Sequence, residues 1–292
     1  MKTKSIAKKS LLYMTLGLVV FLILTILIPY INFSIGGSIN PKILNKRPIS
    51  VAHRGASKLA PENTIQSFAL ALNQNIDIIE LDIHLSKDDS IVVIHDNNLK
   101  RTAGIDEYVE NLTYSELRKI NIAKKISNDN INYIIPTLDE VLKLVNGSKK
   151  VLIEIKWPKE GIYNNIVDKT LECIRSNKAE TWTIIQSFDT KYLVQVTSKA
   201  PDIECHQLVF GVSNILPIYF DRSIKFGQFV PVNGISSVNI YYIYANENFV
   251  NKMHSRGLDV MVFTINEKEK MNKALSFNID GIISDNASII NE

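Results

Sequence analysis

Short apolar runs alternate with stretches of helical spacing from residue 49 to residue 284 of the 292-residue chain. Apolar runs bounded by polar turns predict β-strands, and apolar residues three or four positions apart predict amphipathic helices. Strands in alternation with helices are typical of a parallel α/β fold. The predicted strands cover residues 49–53, 78–84, 91–95, 151–155, 183–186, 204–210, 235–238, 260–264 and 281–284. The predicted helices cover residues 64–73, 162–177, 190–199, 246–256 and 268–277.

The first part of the chain has a different pattern. Lysines at positions 2, 4, 8 and 9 precede a run of 21 residues without a charge, from Leu11 to Ile31. About 20 apolar residues suffice for a helix to cross a bilayer core of roughly 30 Å. Residues 10–31 are therefore predicted to form a transmembrane helix, and residues 1–9 a basic tail that stays on the cytoplasmic side. Residues 32–48 are predicted to be a tether to a domain at 49–292, which would lie outside the cell.

An alternative for this segment is a secretory signal cut near Gly36-Gly37-Ser38, although its apolar core is longer than the roughly 7–15 residues of such signals.

The whole chain has a formal net charge of +3, and the four N-terminal lysines leave the remainder near neutral. A near-neutral domain gives no electrostatic reason to expect a nucleic-acid partner.

The predicted strand at residues 78–84 carries polar residues on one face. Glu80, Asp82 and His84 alternate with isoleucine and leucine, and alternate residues of a strand share a face. An edge strand facing solvent would show the same alternation. The polar turn at 87–90, however, would fold the next strand back and bring His95 beside the two carboxylates. Carboxylates and histidine at strand ends are typical of a metal or acid–base site.

Several motifs in fixed order resemble the glycerophosphodiester phosphodiesterase family. The resemblance begins with His53-Arg54-Gly55-Ala56 and Pro61-Glu62-Asn63-Thr64, and covers roughly residues 49–288. The later motifs are Glu80-x-Asp82, His95-Asp96, Glu154-Ile155-Lys156, Gln186-Ser187-Phe188, Phe263-Thr264-Ile265-Asn266 and the stretch from Asp280 to Asp285. Phe263 and Ser284 depart from the tryptophan and threonine that are usual in the family, which concerns the shape of the pocket.

The resemblance implies a TIM barrel of the phospholipase C-like phosphodiesterase type. Nine strand-like runs are present, whereas such a barrel needs eight. The turn at 87–90 is too short for a parallel crossover, so one run is expected to be irregular or outside the barrel. Residues 97–147 contain two capping-box patterns, at Thr113 and Thr137, and are predicted to form a small helical cap beside the site.

The resemblance also implies roles for individual residues. Hard oxygen ligands suit Ca²⁺ or Mg²⁺ better than zinc, and histidine can exchange protons near neutral pH. An ion pair between Glu154 and Lys156, and another between Arg54 and Glu62, are structural alternatives for those residues. His84 is expected to support the site, and His206 and His254 to be structural. The implied metal ligands are Glu80, Asp82 and Glu154; the acid–base pair is His53 and His95; the phosphate or substrate ligands are Arg54, Lys156, Gln186 and Asn266.

The sequence thus predicts a membrane-anchored, divalent-metal-dependent phosphodiesterase that hydrolyses a glycerophosphodiester to an alcohol and sn-glycerol 3-phosphate. A lysophospholipase D-type or teichoic-acid-cleaving enzyme on the same fold is the alternative within this class. A catalytically silent binding domain for phosphoglycerol polymers is the alternative outside it. A missing histidine or metal carboxylate would favour the silent domain, and none of these residues is missing from the sequence.

Overall fold

A computed structural model describes residues 13, 15–17, 20, 47–213 and 216–291. The predicted tail, transmembrane helix and tether therefore lie almost entirely outside the described residues. Within those ranges, none of the helices combines the length and the apolar character that crossing a bilayer requires.

Eight parallel strands close into a barrel, which confirms the predicted TIM-barrel class. Each strand pairs with its neighbour in parallel register, and the first strand closes the ring by pairing with both the second and the last. The barrel strands are β1 (Ile49–Ala52), β2 (Ile78–Leu85), β4 (Lys150–Ile155), β5 (Thr183–Ser187), β6 (Glu204–Val209), β10 (Ser237–Tyr241), β11 (Asp259–Phe263) and β12 (Gly281–Ser284).

The surplus predicted strand lies outside the barrel, as the short turn indicated. It is β3 (Ile91–Val93), which pairs with the end of β2 in antiparallel register. A second sheet of three short antiparallel strands, β7 (Gly211–Val212), β8 (Ile218–Phe220) and β9 (Ile224–Phe226), follows β6 and was not predicted. It occupies the connection between β6 and β10 at the carboxyl end of the barrel.

Helices pack around the barrel close to the predicted positions. Thr64 caps the first by accepting a hydrogen bond from the Ser67 N–H, and Asn246 caps a later one by accepting from the Phe249 N–H. The helix predicted from residue 162 begins only at Ile166. Within residues 47–213 and 216–291, the α-helices are Ile65–Leu72, Tyr114–Leu117, Leu138–Val145, Ile166–Ser176, Thr190–Lys199, Glu247–His254 and Lys268–Leu275, and 3₁₀ turns span Val109–Asn111, Tyr242–Tyr244 and Ala287–Asn291.

The cap is shorter than predicted. Helix Leu138–Val145 buries its apolar face in the main core that surrounds the barrel, and so belongs to the outer ring of helices. Residues 97–135, by contrast, have a small core of their own, formed with Val92 and Ile94 of the β2–β3 hairpin. Leu99, Ala103 and Leu117 are buried there. The cap is therefore a small layer that packs on the β2–β3 hairpin beside His95.

Apolar side chains lie on both the outer and the inner face of the barrel wall. The outward-facing residues pack against the helices, and a smaller cluster drawn from several different strands fills the lower interior. The interior cluster contains Val51, Ile78, Leu152, Ile184, Met261 and Ile283.

Candidate active site

Side-chain alternation along each barrel strand places polar residues inside the barrel, beyond the apolar interior cluster. Two residues beyond Ile78 comes Glu80, and two further comes Asp82, both on the inward face. The same step leads from Leu152 to Glu154 and then to Lys156. His53, Gln186 and Phe263 likewise lie two positions beyond Val51, Ile184 and Met261. The polar groups therefore meet at the carboxyl end of the strands, where the active sites of such barrels lie.

The three predicted metal ligands lie together. Ligand atoms of Glu80, Asp82 and Glu154 are within 4.8 Å of one another, and the three residues are 1%, 0% and 6% exposed. The Lys156 ammonium lies 2.6 Å from Glu154 Oε1 and 3.0 Å from Asp82 Oδ1. The ion pair considered as an alternative for Glu154 is thus present, but it accompanies the carboxylate cluster and does not replace it.

The surroundings of these three carboxylates carry too little positive charge for all three to be ionised together. Burial, then repulsion from Asp82 and Glu154, raises the pKa of Glu80 well above its usual value. Burial also raises the pKa of Glu154, to about 7. Burial acts in the same sense on Asp82, but Lys156, His95 and Arg54 outweigh it and hold the Asp82 pKa well below its usual value. A buried set of hard oxygen donors with excess negative charge fits a divalent cation.

A tight turn after β1 supplies backbone and side-chain contacts to the cluster. Arg54 takes a left-handed conformation, with φ of 57°, and its N–H donates to Glu80 Oε2 at 2.8 Å. Its guanidinium contacts Glu62 Oε1 at 2.8 Å and Asp82 Oδ2 at 3.4 Å. The predicted alternative for Arg54, an ion pair with Glu62, is therefore observed. Arg54 nevertheless also lines a cavity together with His53 and His95, which we call the central cavity.

Both predicted acid–base histidines are held by an aspartate. His53 Nδ1 lies 2.6 Å from Asp285 Oδ1, and His95 Nδ1 lies 2.6 Å from Asp96 Oδ1. A carboxylate bonded to Nδ1 fixes the ring and leaves Nε2 as the free nitrogen. Each histidine can therefore accept or donate a proton in the cavity through Nε2.

Burial lowers the pKa of both His53 and His95 below 6.5. The hydrogen bond to Asp285 opposes this shift in the His53 pKa, and the charge of Asp82 and the hydrogen bond to Asp96 oppose it in the His95 pKa. The lowered pKa values favour the neutral form of both rings. An anionic phosphate placed between them would favour an imidazolium.

The remaining histidines, at positions 84, 206 and 254, have partners of their own. His84 is buried between the Tyr163 hydroxyl at 3.0 Å and the His95 carbonyl at 3.1 Å, and burial lowers its pKa to about 4. His206 lies 3.1 Å from Glu204, and His254 lies 2.8 Å from Asp280 at the opposite end of the barrel. Neither of the last two lines the central cavity.

The two predicted amide ligands have different surroundings. Gln186 lines the central cavity, accepts a hydrogen bond from Asn239 Nδ2 at 2.8 Å and reaches Glu80 Oε1 at 3.4 Å. Asn266 donates to Asp285 Oδ2 at 2.6 Å and accepts from the Asp285 N–H at 2.9 Å. Asn266 therefore holds the aspartate that holds His53, at the edge of a neighbouring cavity.

The central cavity has a charged half and an aromatic half. Its volume is about 280 Å³. Phe210 stacks on Tyr241 at 4.7 Å, and Phe188 meets Phe263 edge-on at 5.9 Å. Wider spaces adjoin it, one of about 570 Å³ beside His95 and the cap and one of about 420 Å³ beside His53 and Asp285. The central cavity shares His95, Lys156 and Phe188 with the first space, and His53, Arg54 and Thr264 with the second.

Several site residues were not identified from the sequence. Asp96 and Asp285 lie inside the quoted motifs, yet their roles depend on contacts with the two histidines. Asn63 fixes Asp82 by donating to Oδ2 at 2.8 Å and accepting from the Asp82 N–H at 3.2 Å. The polar motif at 61–64 was a signal for Asn63. The aromatic residues of the cavity had no comparable signal, because aromatic side chains are equally common in cores.

Comparison with known proteins identifies the family. A model described as the glycerophosphoryl diester phosphodiesterase family matches residues 53–289. The chain belongs to this family. The match confirms the predicted enzyme class, a phosphoric diester hydrolase. The acidic cluster agrees with a cation-dependent enzyme and does not distinguish Ca²⁺ from Mg²⁺.

Individual relatives agree with this assignment. A glycerophosphodiester phosphodiesterase from Caldanaerobacter subterraneus is 31% identical over 241 residues, covering 82% of this chain and 94% of that protein. A rat lysophospholipase D is 25% identical, covering 80% of this chain and 82% of that protein. A phosphodiesterase from Oleispira antarctica, solved in complex with its product sn-glycerol-3-phosphate, has a TM-score of 0.71 at 24% identity and covers 84% and 95% of the two chains. This last likeness shows the fold.

Proposed function

We propose that the enzyme hydrolyses a glycerophosphodiester to an alcohol and sn-glycerol 3-phosphate by acid–base catalysis with two histidines. The observation that carries this proposal is the buried carboxylate cluster flanked by two histidines, each held through Nδ1 by an aspartate. A binding domain would need the charged groups but would have no need for two oriented, proton-exchanging rings. The family membership and the relatives' activities support the same conclusion.

In the proposed reaction, His53 is the first base and His95 the first acid. His53 Nε2 takes the proton of the glycerol 2-hydroxyl, which attacks phosphorus and forms a five-membered cyclic phosphate. An intramolecular nucleophile has a large proximity advantage over water. His95 Nε2 donates a proton to the departing alkoxide, and the two roles reverse when water opens the ring.

The charged half of the cavity would hold the phosphate during both steps. Glu80, Asp82 and Glu154 would hold a divalent cation, Ca²⁺ or Mg²⁺, which offsets the negative charge of the phosphate. Arg54 offers its guanidinium fork, and Lys156 its ammonium, to phosphate oxygens. The Arg54 and Lys156 side chains already contact Asp82, so their placement does not depend on substrate.

A lysophospholipase D-type activity is the second candidate. The aromatic half of the cavity favours it, because Phe188, Phe210, Tyr241 and Phe263 could accommodate an apolar group. The rat lysophospholipase D among the relatives adds support. A teichoic-acid-like polymer is a further substrate to be tested on the same site.

A substrate panel tests the proposal. Glycerophosphodiesters, lysophospholipids and a phosphoglycerol polymer are assayed with Ca²⁺, with Mg²⁺ and with neither. The products measured are sn-glycerol 3-phosphate and, from the lysophospholipids, lysophosphatidic acid. We expect metal-dependent release of this product from the small diesters. A substrate without its 2-hydroxyl should bind but react poorly; normal turnover of that substrate would exclude the cyclic intermediate. Binding of all substrates without hydrolysis would favour the silent domain.

The membrane anchor belongs to the same proposal. Residues 10–31 would cross the membrane and residues 1–9 would remain cytoplasmic, which places the barrel outside the cell. The support is the uncharged run after four lysines. An extracellular barrel would act on diesters released from, or still attached to, the cell envelope.

A further inference from the structure

We propose that Arg101, which the cap contributes, is a positioning residue that holds both the acid–base histidine and the phosphate-binding arginine. This inference rests on the proposed function of the site. Arg101 itself contacts none of the carboxylates assigned to the cation. It acts through two other residues, Asp96 and Glu62.

The first contact fixes the partner of His95. Arg101 Nε donates to Asp96 Oδ2 at 2.5 Å, and the other oxygen of that carboxylate lies 2.6 Å from His95 Nδ1. With only one contact, the carboxylate could rotate about its own bond and release the ring. Bonded on both sides, it is held in the orientation that leaves His95 Nε2 facing the cavity.

Through the second contact, Arg101 shares the Glu62 carboxylate with Arg54. Arg101 binds this carboxylate with both terminal nitrogens, at 2.9 Å to Oε2 and 2.7 Å to Oε1. Arg54 contacts the same Oε1 at 2.8 Å. Because Glu62 is already neutralised by Arg101, it cannot fully offset the positive charge of Arg54. The guanidinium of Arg54 thereby remains attractive to a phosphate.

The cap keeps Arg101 in place. Leu99 and Ala103, on either side of it, are 0% and 2% exposed in the core of the cap. The Ala103 N–H donates to the Leu99 carbonyl at 2.9 Å, and the Leu99 N–H donates to the Glu107 carbonyl at 2.9 Å. Arginine is required because only its planar fork can bind one carboxylate with two nitrogens while a third nitrogen binds another. The geometry thus links the folding of the cap to the order of the site.

Arg118 provides a matched control. It is also an arginine of the cap, its side chain is 41% exposed against 43% for Arg101, and it forms a 2.8 Å ion pair with Glu140 away from the cavity. In the full-length enzyme we expect R101M to lower kcat by about 10- to 100-fold, the loss that follows misplacement of a reacting group. R118M should stay within about twofold of wild type. R101K should recover only part of the loss, because lysine is a single point donor.

A double variant separates the two contacts. In R101M, Glu62 would pair with Arg54 alone, which should weaken binding of the product sn-glycerol 3-phosphate. Calorimetry would measure this loss as a raised dissociation constant, without turnover. E62Q/R101M removes the Glu62 charge and should restore product binding while kcat stays low. Recovery of kcat in the double variant would overturn the role assigned to Asp96 and His95. Unchanged product binding in R101M would overturn the role assigned to Glu62.

A readout without turnover distinguishes failure of this inference from failure of the proposed function. Nitrogen NMR of the imidazoles should show neutral His95 with its proton on Nδ1 in wild type and in R118M, and a mixture of tautomers in R101M. Should R101M fail to fold, R101K supports the same comparison. If wild type hydrolyses no diester, the proposed function fails while the NMR and product-binding results still decide the role of Arg101. If R101M equals R118M in every measurement, the inference is wrong.

Discussion

Replacement of Gly55 by alanine should disturb the site through two separate costs. Gly55 has φ of +79°, a left-handed conformation that costs other residues about 1–2 kcal/mol. Its Cβ would also lie 2.5 Å from Ser67 Oγ and 2.8 Å from the Ser67 carbonyl carbon. The second atom is backbone and cannot rotate away, so overpacking adds about 1–3 kcal/mol. We therefore expect G55A to lower the free energy of unfolding by about 2–5 kcal/mol.

Gly257 serves as a control without the clash, so the difference between the two variants measures the clash. Its φ is +73°, and apart from its chain neighbours no described residue has an atom within 4 Å of an added Cβ, so G257A should cost only the backbone contribution of about 1–2 kcal/mol. The loss of freedom in the unfolded chain is the same for both variants and cancels in the comparison. Urea unfolding measures the two free energies. Equal losses within about 0.5 kcal/mol would refute the clash, since surface effects alone reach that size.

The turn at Gly55 also has a functional consequence. The neighbouring Arg54 N–H donates to Glu80 at 2.8 Å, and a shift of the turn would move both this contact and the Arg54 guanidinium. G55A should therefore lose activity at temperatures where it remains folded, whereas G257A should keep it. Full activity of folded G55A would show that the turn tolerates the shift.

Three further predictions concern the metal, pH and the membrane. Excess chelator should abolish turnover and Ca²⁺ or Mg²⁺ should restore it, while E154Q should stay folded but bind metal weakly; full activity in chelator would exclude a metal role. D285N removes the hydrogen bond that raises the His53 pKa, so the acid limb of kcat/KM should move to lower pH; an unmoved limb would show that Asp285 does not tune His53. Protease added to intact cells should cleave the barrel, and protection until the membrane is broken would reverse the predicted orientation.

The sequence pattern predicted the parts of the site that follow from local periodicity. Glu80 and Asp82 could be assigned to one face because strand alternation is strict, and Glu154 with Lys156 followed the same rule. The surplus strand was recognised from the length of a turn. Assignment of roles to these residues came from the family resemblance and not from the periodicity.

The remaining features depend on contacts between distant segments. His53 and Asp285 are 232 positions apart, so the carboxylate that orients the ring could not be inferred from spacing. Helix Leu138–Val145 has the same amphipathic pattern whether it covers a cap or a barrel, and only packing decides. The strands of the extra sheet at 211–226 have two or three residues each, too few for a pattern to be distinguished from a loop.

The rates of H53A and H95A test the central claim most directly. Each variant removes one proton-exchanging ring and leaves the carboxylate cluster intact. We expect each to lose about 10²-fold or more in kcat, while metal binding and folding match wild type. Wild-type rates in both variants, with the same substrate and metal, would contradict acid–base catalysis by this pair and favour a domain that binds phosphoglycerol compounds without hydrolysing them.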